Sequence, residues 1–465
     1  MRQAHTVEQV RVAETARMAQ LPEGALMQQA AAGLAAAVLD LLGGGYGRRV
    51  LLLVGAGNNG GDALYAGARL ARRGAAVEAW LLADPVHQEG LAALLAAGGT
   101  IAGPEAVARP DVVVDGIVGI GGRPGLRPDA VAALARVEAV PVVAVDVPSG
   151  IDVDTGELDG PHVEAAVTVT FGTHKPGLLV DPAAAACGVV HLVDLGLELP
   201  EPPIEALQPA DVRRLLPRPA PDGHKYTRGV VGVRAGSATY PGAALLCVSG
   251  ADCGLAGMVR YVGEVADVVR RHHPEVVGEG RVQAWTVGSG GGEAAGDELA
   301  AAVADAVPTV VDADALRHVH GPLGVPAVLT PHAGELAAMS GVDREDVEAR
   351  GLHHARAAAE RHQAVVLLKG RRSLVVHPDG RVRVTTTGVP WLATAGAGDV
   401  LSGLVGALLA VGMTPYDAAS VGSWLHGAAA TLASRGGPLV ASAVAATLPE
   451  TVRRVLAGGM EESTA

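Results

Sequence analysis

The chain has 465 residues, of which 18% are charged and 2% aromatic, and a net charge of −13. That length exceeds one typical domain and lets each half bury a core of its own. With no basic run longer than Arg48-Arg49, Arg213-Arg214 or Arg371-Arg372, the acidic balance excludes a surface that tracks a nucleic-acid backbone.

Residues 5–42 read as two helices, the second (ALMQQAAAGLAAAVLDLL) strongly apolar. The first twenty residues lack the apolar core of a signal peptide, and no segment offers about twenty consecutive apolar residues, so a cytoplasmic chain with no membrane partner is expected. Cys187, Cys247 and Cys253 form no C-x-x-C pair, as befits small buried apolar residues in a reducing compartment.

From residue 50 short β-branched runs alternate with Ala-rich stretches: VLLLV, VEAWLL, VVVDGIVG, VVAVDV, VTVTF and VVHLVDL. This alternation predicts a mostly parallel sheet covered on both faces. Around residues 198–223 seven prolines argue against continuous helix or a central strand, and the domain boundary is expected there. The alternation restarts with VVGVRAG and runs through AWTVGSG, TVVDADAL, AVLTPH, AVVLLKG and SLVVHPDG, closing with Ala-rich helices after residue 398. Two tandem α/β domains are predicted, over 1–205 and 206–465, joined by the Pro-rich linker. The apolar helices at 25–42 and 400–411 are candidates for an interface as well as core, and a homo-oligomer is expected.

The stretch GAGNNGGD (55–62) follows VLLLV and contains G-x-G-x-x-G, with Glu78 near the end of the next strand where a ribose-binding acid belongs. That pattern alone is weak. Asn58, Asn59 and Asp62 place polar side chains in a loop that an ordinary dinucleotide turn keeps small, and no hydride-transfer partner is identifiable. Two further loops, DGIVGIGGRPGLR (115–127) and DVPSGIDVDTG (146–156), also follow apolar strands. In an open parallel sheet such loops gather at one edge, so Asn59, Asp115 and Ser149 can converge as oxygen ligands with Asp146 facing the same crevice. A lone Asp after a strand is ordinarily a cap or turn former; three such loops in order make a site.

In the second half, LATAGAGDVLSGLVGALLA (392–410) opens an apolar helix with Gly396, Ala397 and Gly398, whose N–H groups can form an anion hole, and sets Asp399 in the first turn. An anion hole beside a carboxylate suits phosphoryl transfer, with the carboxylate taking the proton of the attacking hydroxyl.

The set GNNGGD, DGIVGIG and DVPSGID resembles the epimerase half of the bifunctional NAD(P)H-hydrate repair enzymes. G-x-G-D opening a helix resembles the ribokinase-like superfamily. HKYTRGVVGVRAGSATYPGAA (224–244), AGMVRYV (256–262), LTPHAGEL (329–336) and LLKGRRSLVVHPDG (367–380) resemble the ADP-dependent dehydratase half of the same enzymes. The resemblance covers roughly residues 5–455. It implies a Rossmann-like three-layer αβα domain followed by a ribokinase-like αβα domain. The first would exchange the C6 epimers of hydrated NADH and NADPH (NADHX and NADPHX), and the second would dehydrate one epimer at the expense of ADP.

Carried over by position, the resemblance implies epimerase substrate contacts at Asn58, Asn59, Gly60, Gly61 and Asp62 and at Gly119, Ile120, Gly121, Gly122, Arg123, Pro124 and Gly125. It also implies an acid/base at Asp146 and potassium (K+) ligands Asn59, Asp115 and Ser149. In the dehydratase half it implies nucleotide contacts from Lys369, Gly370, Arg371, Arg372, Ser373 and Gly398. Ala244, Gly290, His332 and Asp399 would hold the hydrated dinucleotide, and Mg2+ would accompany ADP. His332 is otherwise a loop histidine, and Lys369 otherwise a lysine whose stem lies along the strand end. The chain departs from the family pattern at Gln28 (commonly Glu), Ala63 (commonly Gly), Ser289 (in VGSGGG, where G-P-G is usual) and the segment ADCGLAGMV (251–259). The rival reading is a ribokinase-like vitamin or sugar kinase fused to a non-catalytic ligand-binding domain.

Overall fold

The computed structural model describes residues 1–103 and 109–460; residues 461–465 of the second expected domain lie outside the described residues. The chain divides into two compact units. One is Gln3–Pro203, and the other takes Met1–Arg2 with the chain from Ile204 onward.

Strand β1 (Arg2–Ala4) is the edge of the second sheet. Next come β2 (Arg49–Val54), β3 (Ala76–Leu81), β4 (Thr100–Ala102), β5 (Val112–Gly116), β6 (Val142–Val145), β7 (Val167–Phe171) and β8 (Val189–Val193). Among the described residues they form one seven-stranded sheet in the order β4-β3-β2-β5-β6-β7-β8, parallel throughout, with Val50 opposite both Val77 and Val112.

Alternate side chains of β2 point to opposite faces, and both faces are dry. Leu52 and Val54 join the helices Ala25–Leu42 and Asn58–Arg72 in one core. Leu51 and Leu53 meet Ala130 and Ala133 of the helix Pro128–Ala135 in the other. Two-sided burial is why these strands are continuous apolar runs rather than alternating ones. The helix Ala25–Leu42 is long and apolar enough by length and composition to cross a membrane; Leu26, Ala31, Leu34 and Val38 lie in the sheet core. After β2 the chain builds outward one way to β3 and β4, and then returns to β5 and builds the other way. The loops after β2 and β5 therefore diverge at the switch point, where α/β sheets hold ligands. Those loops touch so closely that a Cβ at Gly55 would lie 1.8 Å from the Ile117 carbonyl oxygen.

In the second unit, β9 (Ile204–Ala206) is followed by β10 (Val230–Arg234), β11 (Met258–Tyr261), β12 (Ala284–Val287), β13 (Thr309–Val311), β14 (Ala327–Leu329), β15 (Val365–Leu368), β16 (Leu374–Val376) and β17 (Val382–Val384). Among the described residues the ten-stranded order is β1-β9-β17-β16-β15-β14-β13-β12-β10-β11. It is parallel from β11 to β15, with β16 antiparallel to both β15 and β17. The helix Ala397–Ala410 is buried along almost its whole length, packed on β10, β12 and the helix Pro241–Ala251.

Three expectations need correction. The stretch 198–223 is no bare linker: β9 pairs within the sheet, and a helix spans Pro209–Leu215. Pro209 occupies the first helical turn, where its missing N–H is no loss, and Pro202 and Pro203 precede the strand. Asn58–Asp62 are not loop but the first turn of a helix, because Gly57, at φ 87°, makes the turn itself. Glu78 sits mid-strand in β3 rather than at its end, away from where a ribose-binding acid would act.

Candidate functional site

In the first unit a cavity of about 380 Å³ opens at the switch point, lined among others by Asn58, Asn59, Asp62, Gly119, Ile120, Gly121 and Asp146. Gly60 and Gly61 are buried in the same helix turn. Gly122, Arg123, Pro124 and Gly125 do not line it. The Gly122 N–H closes a turn on the Gly119 carbonyl at 2.9 Å, and the Gly125 N–H donates to Gly150 at 2.8 Å, so the segment leads away with Arg123 and Pro124 exposed.

Asp146 follows β6 at φ 66°, a left-handed conformation unusual for a residue with a side chain. The turn aims its carboxylate at β7, where Oδ1 accepts from Thr170 Oγ1 and the Phe171 N–H, both at 3.1 Å, and from the Lys175 ammonium. Lys175 is wholly buried, its Nζ also 3.0 Å from Thr170 Oγ1 and the Phe171 carbonyl. Burial first, then the facing carboxylates of Asp146 and Glu14, hold Asp62 well above the usual carboxylate range. The cavity thus carries one carboxylate matched to an ammonium and one whose surroundings disfavour its charged form.

Beside it, Asp115 is completely buried at the end of β5. Its Oδ1 accepts from Ser149 Oγ at 2.7 Å and the Ile117 N–H at 3.2 Å, and its Oδ2 from the Ser149 N–H at 2.9 Å. Burial outweighs those bonds and pushes it up to about 6, with no cationic side chain acting on it among the described residues. Ser149 Oγ also lies 3.0 Å from the Val118 carbonyl. Asn59 Oδ1 lies 2.7 Å from where a Gly119 Cβ would be, and its Nδ2 is buried without a partner. A buried carboxylate with no cationic side chain acting on it, among hydroxyl, amide and carbonyl oxygens, fits a hard monovalent cation.

In the second unit, Gly396 (φ 85°) caps the helix Ala397–Ala410. The Ala397 N–H is taken by the Thr394 carbonyl at 3.3 Å, a correction to the three-donor hole. The N–H groups of Gly398 and Asp399, in the first turn, have no acceptor within the helix. A Cβ on Gly398 would lie 3.5 Å from Lys369 Nζ, so the lysine charge adjoins the helix start. Lys369 Nζ donates to Asp312 Oδ1 at 2.8 Å and lies 3.6 Å from Glu335 Oε2. Burial opposes its charge, but these carboxylates outweigh it and raise its pKa. Asp312 is anchored in turn by Thr330 Oγ1 at 2.8 Å and by Ser289 Oγ at 3.1 Å.

Asp399 is pushed up to about 6, by burial first and then by Asp312, against a hydrogen bond from Ser289 and the charge of Lys369. His332 caps the helix Ala333–Ser340, its Nδ1 accepting from the Glu335 N–H at 3.1 Å, and its backbone bridges to Lys369. Gly290 packs so tightly on Tyr240 and Ala243 that a Cβ would lie 2.6 Å from the Ala243 Cβ, beside the buried Ala244. Gly370 and Ser373 close a turn at 3.3 Å after β15, in which Arg371 is exposed and Arg372 half-buried.

Residues 231–450 match the family model described as NAD(P)H-hydrate dehydratase, and residues 23–177 the one described as YjeF-related protein N-terminus. A bifunctional NAD(P)H-hydrate repair enzyme of Mycobacterium leprae is 46% identical over 98% of this chain and 100% of its own. One from Mycobacterium tuberculosis is 47% identical, over 90% and 92%. The chain belongs to the family of bifunctional NAD(P)H-hydrate repair enzymes.

Among solved structures, the second unit of this family member is similar to an ADP/ATP-dependent NAD(P)H-hydrate dehydratase from Bacillus subtilis co-crystallized with ATP/Mg2+. The two are 28% identical at TM-score 0.50, covering 54% of this chain and 98% of that one. A ribokinase-like superfamily protein from Enterococcus faecalis, 20% identical at TM-score 0.50 over 56% and 98%, shares the fold.

Sequence reasoning missed Glu14, Arg11, Lys175, Asp312 and His426. Arg11, Glu14 and Met18 line the first cavity from the helix Val7–Met18; their spacing of three and four, one helical face, was a readable signal. Lys175, in THKP after β7, and Asp312, in VVDAD after β13, each follow an apolar strand. His426 is fully buried within the helix Pro415–Ser434, hydrogen-bonded to the Ala397 carbonyl, with burial lowering it to about 4. Of the departures, Gln28 accepts from Arg69 Nη2 at 3.1 Å, Ala63 fills a fully buried position, and Ser289 joins the Asp312 network.

Proposed function

We propose that the second unit dehydrates hydrated NADH and NADPH using ADP, with Asp399 as general base. The observation carrying this is Asp399 itself, a carboxylate held near pH 6 one residue from Gly398, where the Lys369 ammonium adjoins two undonated helix N–H groups. Asp399 takes the proton of the C6 hydroxyl as its oxygen bonds the β-phosphorus of ADP, and AMP leaves. The C6–O bond then breaks, expelling phosphate; C5 gives up a proton, and the ring double bond re-forms. Phosphorylation turns hydroxide into a good leaving group. Lys369, with Gly398 and the turn Gly370–Ser373, holds the nucleotide phosphates; Ala244, Gly290 and His332 lie against the hydrated dinucleotide. Mg2+, bound with ADP, supplies charge neutralisation of the transferred group.

In the first unit Asp146, with Asp62, exchanges protons with the hydrated ring during epimerisation, and the turn Gly119–Gly121 covers it. Asn59, Asp115 and Ser149 would hold K+, which supplies positive charge to balance Asp115 and keep the two loops together. The enzyme would act in the cytoplasm on small molecules, as a homo-oligomer.

A mixture of C6 epimers of hydrated NADH, incubated with enzyme, ADP and magnesium, should fully regain the NADH absorbance band. Recovery should be lost in Asp399→Asn and stop part-way in Asp146→Ala once spontaneous epimerisation is subtracted. The kinase alternative predicts instead a phosphorylated product that persists without elimination, and that outcome would overturn the dehydratase assignment.

A further inference from the structure

The helix Pro241–Ala251 ends at Asp252, inside the segment where the chain departs from its family's pattern, and the short helix Ala266–His272 runs out into His273, Pro274 and Glu275. His273 Nδ1 lies 4.0 Å from Asp252 Oδ2 and 3.9 Å from Glu275 Oε1. One ligand atom from each of the three lies within 4.8 Å of the others.

The decisive contact is on the far side of the ring. His273 Nε2 lies 3.2 Å from Ser249 Oγ, and Ser249 donates its hydroxyl hydrogen to the Leu245 carbonyl at 2.7 Å. A serine has one hydroxyl proton, so toward the ring it can only accept. Nε2 is therefore the ring nitrogen held by Ser249, and Nδ1 is the one that faces the two carboxylates. The Asp252 and Glu275 carboxyls share a hydrogen bond, so a metal would displace that shared proton and meet one ligand atom from each of the three groups. An imidazole fixed through its other nitrogen, which gives up any Nδ1 proton to a metal, is with two carboxylates a donor set for a borderline divalent cation.

We propose that Asp252, His273 and Glu275 form a divalent-metal site that takes Zn2+, with Ser249 as the residue positioning the imidazole. Ligand separations of 3.9 and 4.0 Å need a small inward movement to reach metal–ligand distances of about 2.0–2.2 Å. Glu275, whose side chain is mostly exposed, is free to make it. The site lies at the C-terminal end of the helix whose first turns carry Ala244, about 12 Å along the axis at the helical rise. Its ligands are separate from the groups around Lys369 and Asp399. Bound metal would pin that helix end to the loop after His272.

The test uses untagged full-length protein, stripped with chelator and titrated with Zn2+ alone at pH 7.5. One equivalent should bind and raise the melting temperature. His273→Gln and Asp252→Asn should weaken binding at least 100-fold and Ser249→Ala about 10-fold, while His272→Ala changes nothing. No binding, or equal binding by His273→Gln and wild type, would overturn the site and leave a shared proton between the carboxyls. Should the variants misfold, X-ray absorption on zinc-loaded wild type decides. One imidazole with oxygen neighbours at about 2.0–2.1 Å is expected, and a sulfur shell at about 2.3 Å would place the metal on cysteine and refute the proposal.

Discussion

Lys175 and Lys369 both follow an apolar strand, the first wholly buried and the second partly so, yet they neutralise different partners. Lys175 bonds the cavity carboxylate itself, Asp146, and the second carboxylate, Asp62, is pushed well above the usual range by burial and by facing charge. Lys369 bonds Asp312, a carboxylate lying outside the helix turn that carries the proposed base, and its charge does not offset the burial and the Asp312 charge that raise Asp399 to about 6. The difference tracks the chemistry proposed for each half. Reversing the C6 hydroxyl needs groups that can both take its proton and return one, whereas phosphoryl transfer needs one base beside positive charge placed for a phosphate.

The largest expected effect comes from separating the base from the charge in the second site. Asp399→Asn should lower dehydratase kcat by about 10³-fold, within the usual range for a general base, with KM little changed; steady-state kinetics with ADP check it. If KM rises while kcat holds, Asp399 binds rather than abstracts.

In the first site the pairing itself can be broken. Lys175→Met leaves Asp146 without its ammonium and should destabilise that unit by about 3–5 kcal/mol, read by denaturant unfolding. The corresponding test of epimerase activity is Asp62→Asn, which keeps the size and removes the group able to exchange a proton. A loss of about 10²-fold or more is expected, and an unchanged rate would remove Asp62 from the mechanism.

Acidity distinguishes the halves next. Asp399 must be deprotonated to act, so dehydratase kcat should rise with pH through about 6 and fall about tenfold per unit below it. The single hydroxyl proton of Ser289 lies between Asp312 and Asp399 and favours the charged form of whichever it meets, so Ser289→Ala should move the acid limb of that profile to higher pH. A profile that does not move would leave Ser289 serving only Asp312. A smaller effect is expected from potassium. Replacing choline with K+ should raise the melting temperature of the wild type, and Asp115→Asn should abolish the response, since the neutral amide no longer needs a cation.

Much of the dehydratase site was legible because its chemistry is local. Gly396, Ala397, Gly398 and Asp399 are consecutive, and a helix N-terminus creates free donors wherever it forms, although the Thr394 carbonyl takes one of them. The epimerase loops were legible as three separate polar interruptions after apolar strands. Glu78 misled because strand position, not residue type, decides what an acid can reach.

The alternation of apolar runs and Ala-rich segments determined two α/β halves, since strands buried on both faces must be apolar throughout. Spacing alone also placed Asp146 just after a strand and Asp399 at a helix start, while Asp115 proved to be a paired residue of β5 itself. Only the tertiary structure decided which charge each would meet. Glu14 comes to Asp62 from a helix near the N-terminus, Lys175 to Asp146 across 29 positions and Lys369 to Asp312 across 57. A strand pattern fixes which face a side chain takes, whereas the neighbour it meets there depends on strand order. Long-range strand order, set by how the whole core packs, has no local signature in the chain.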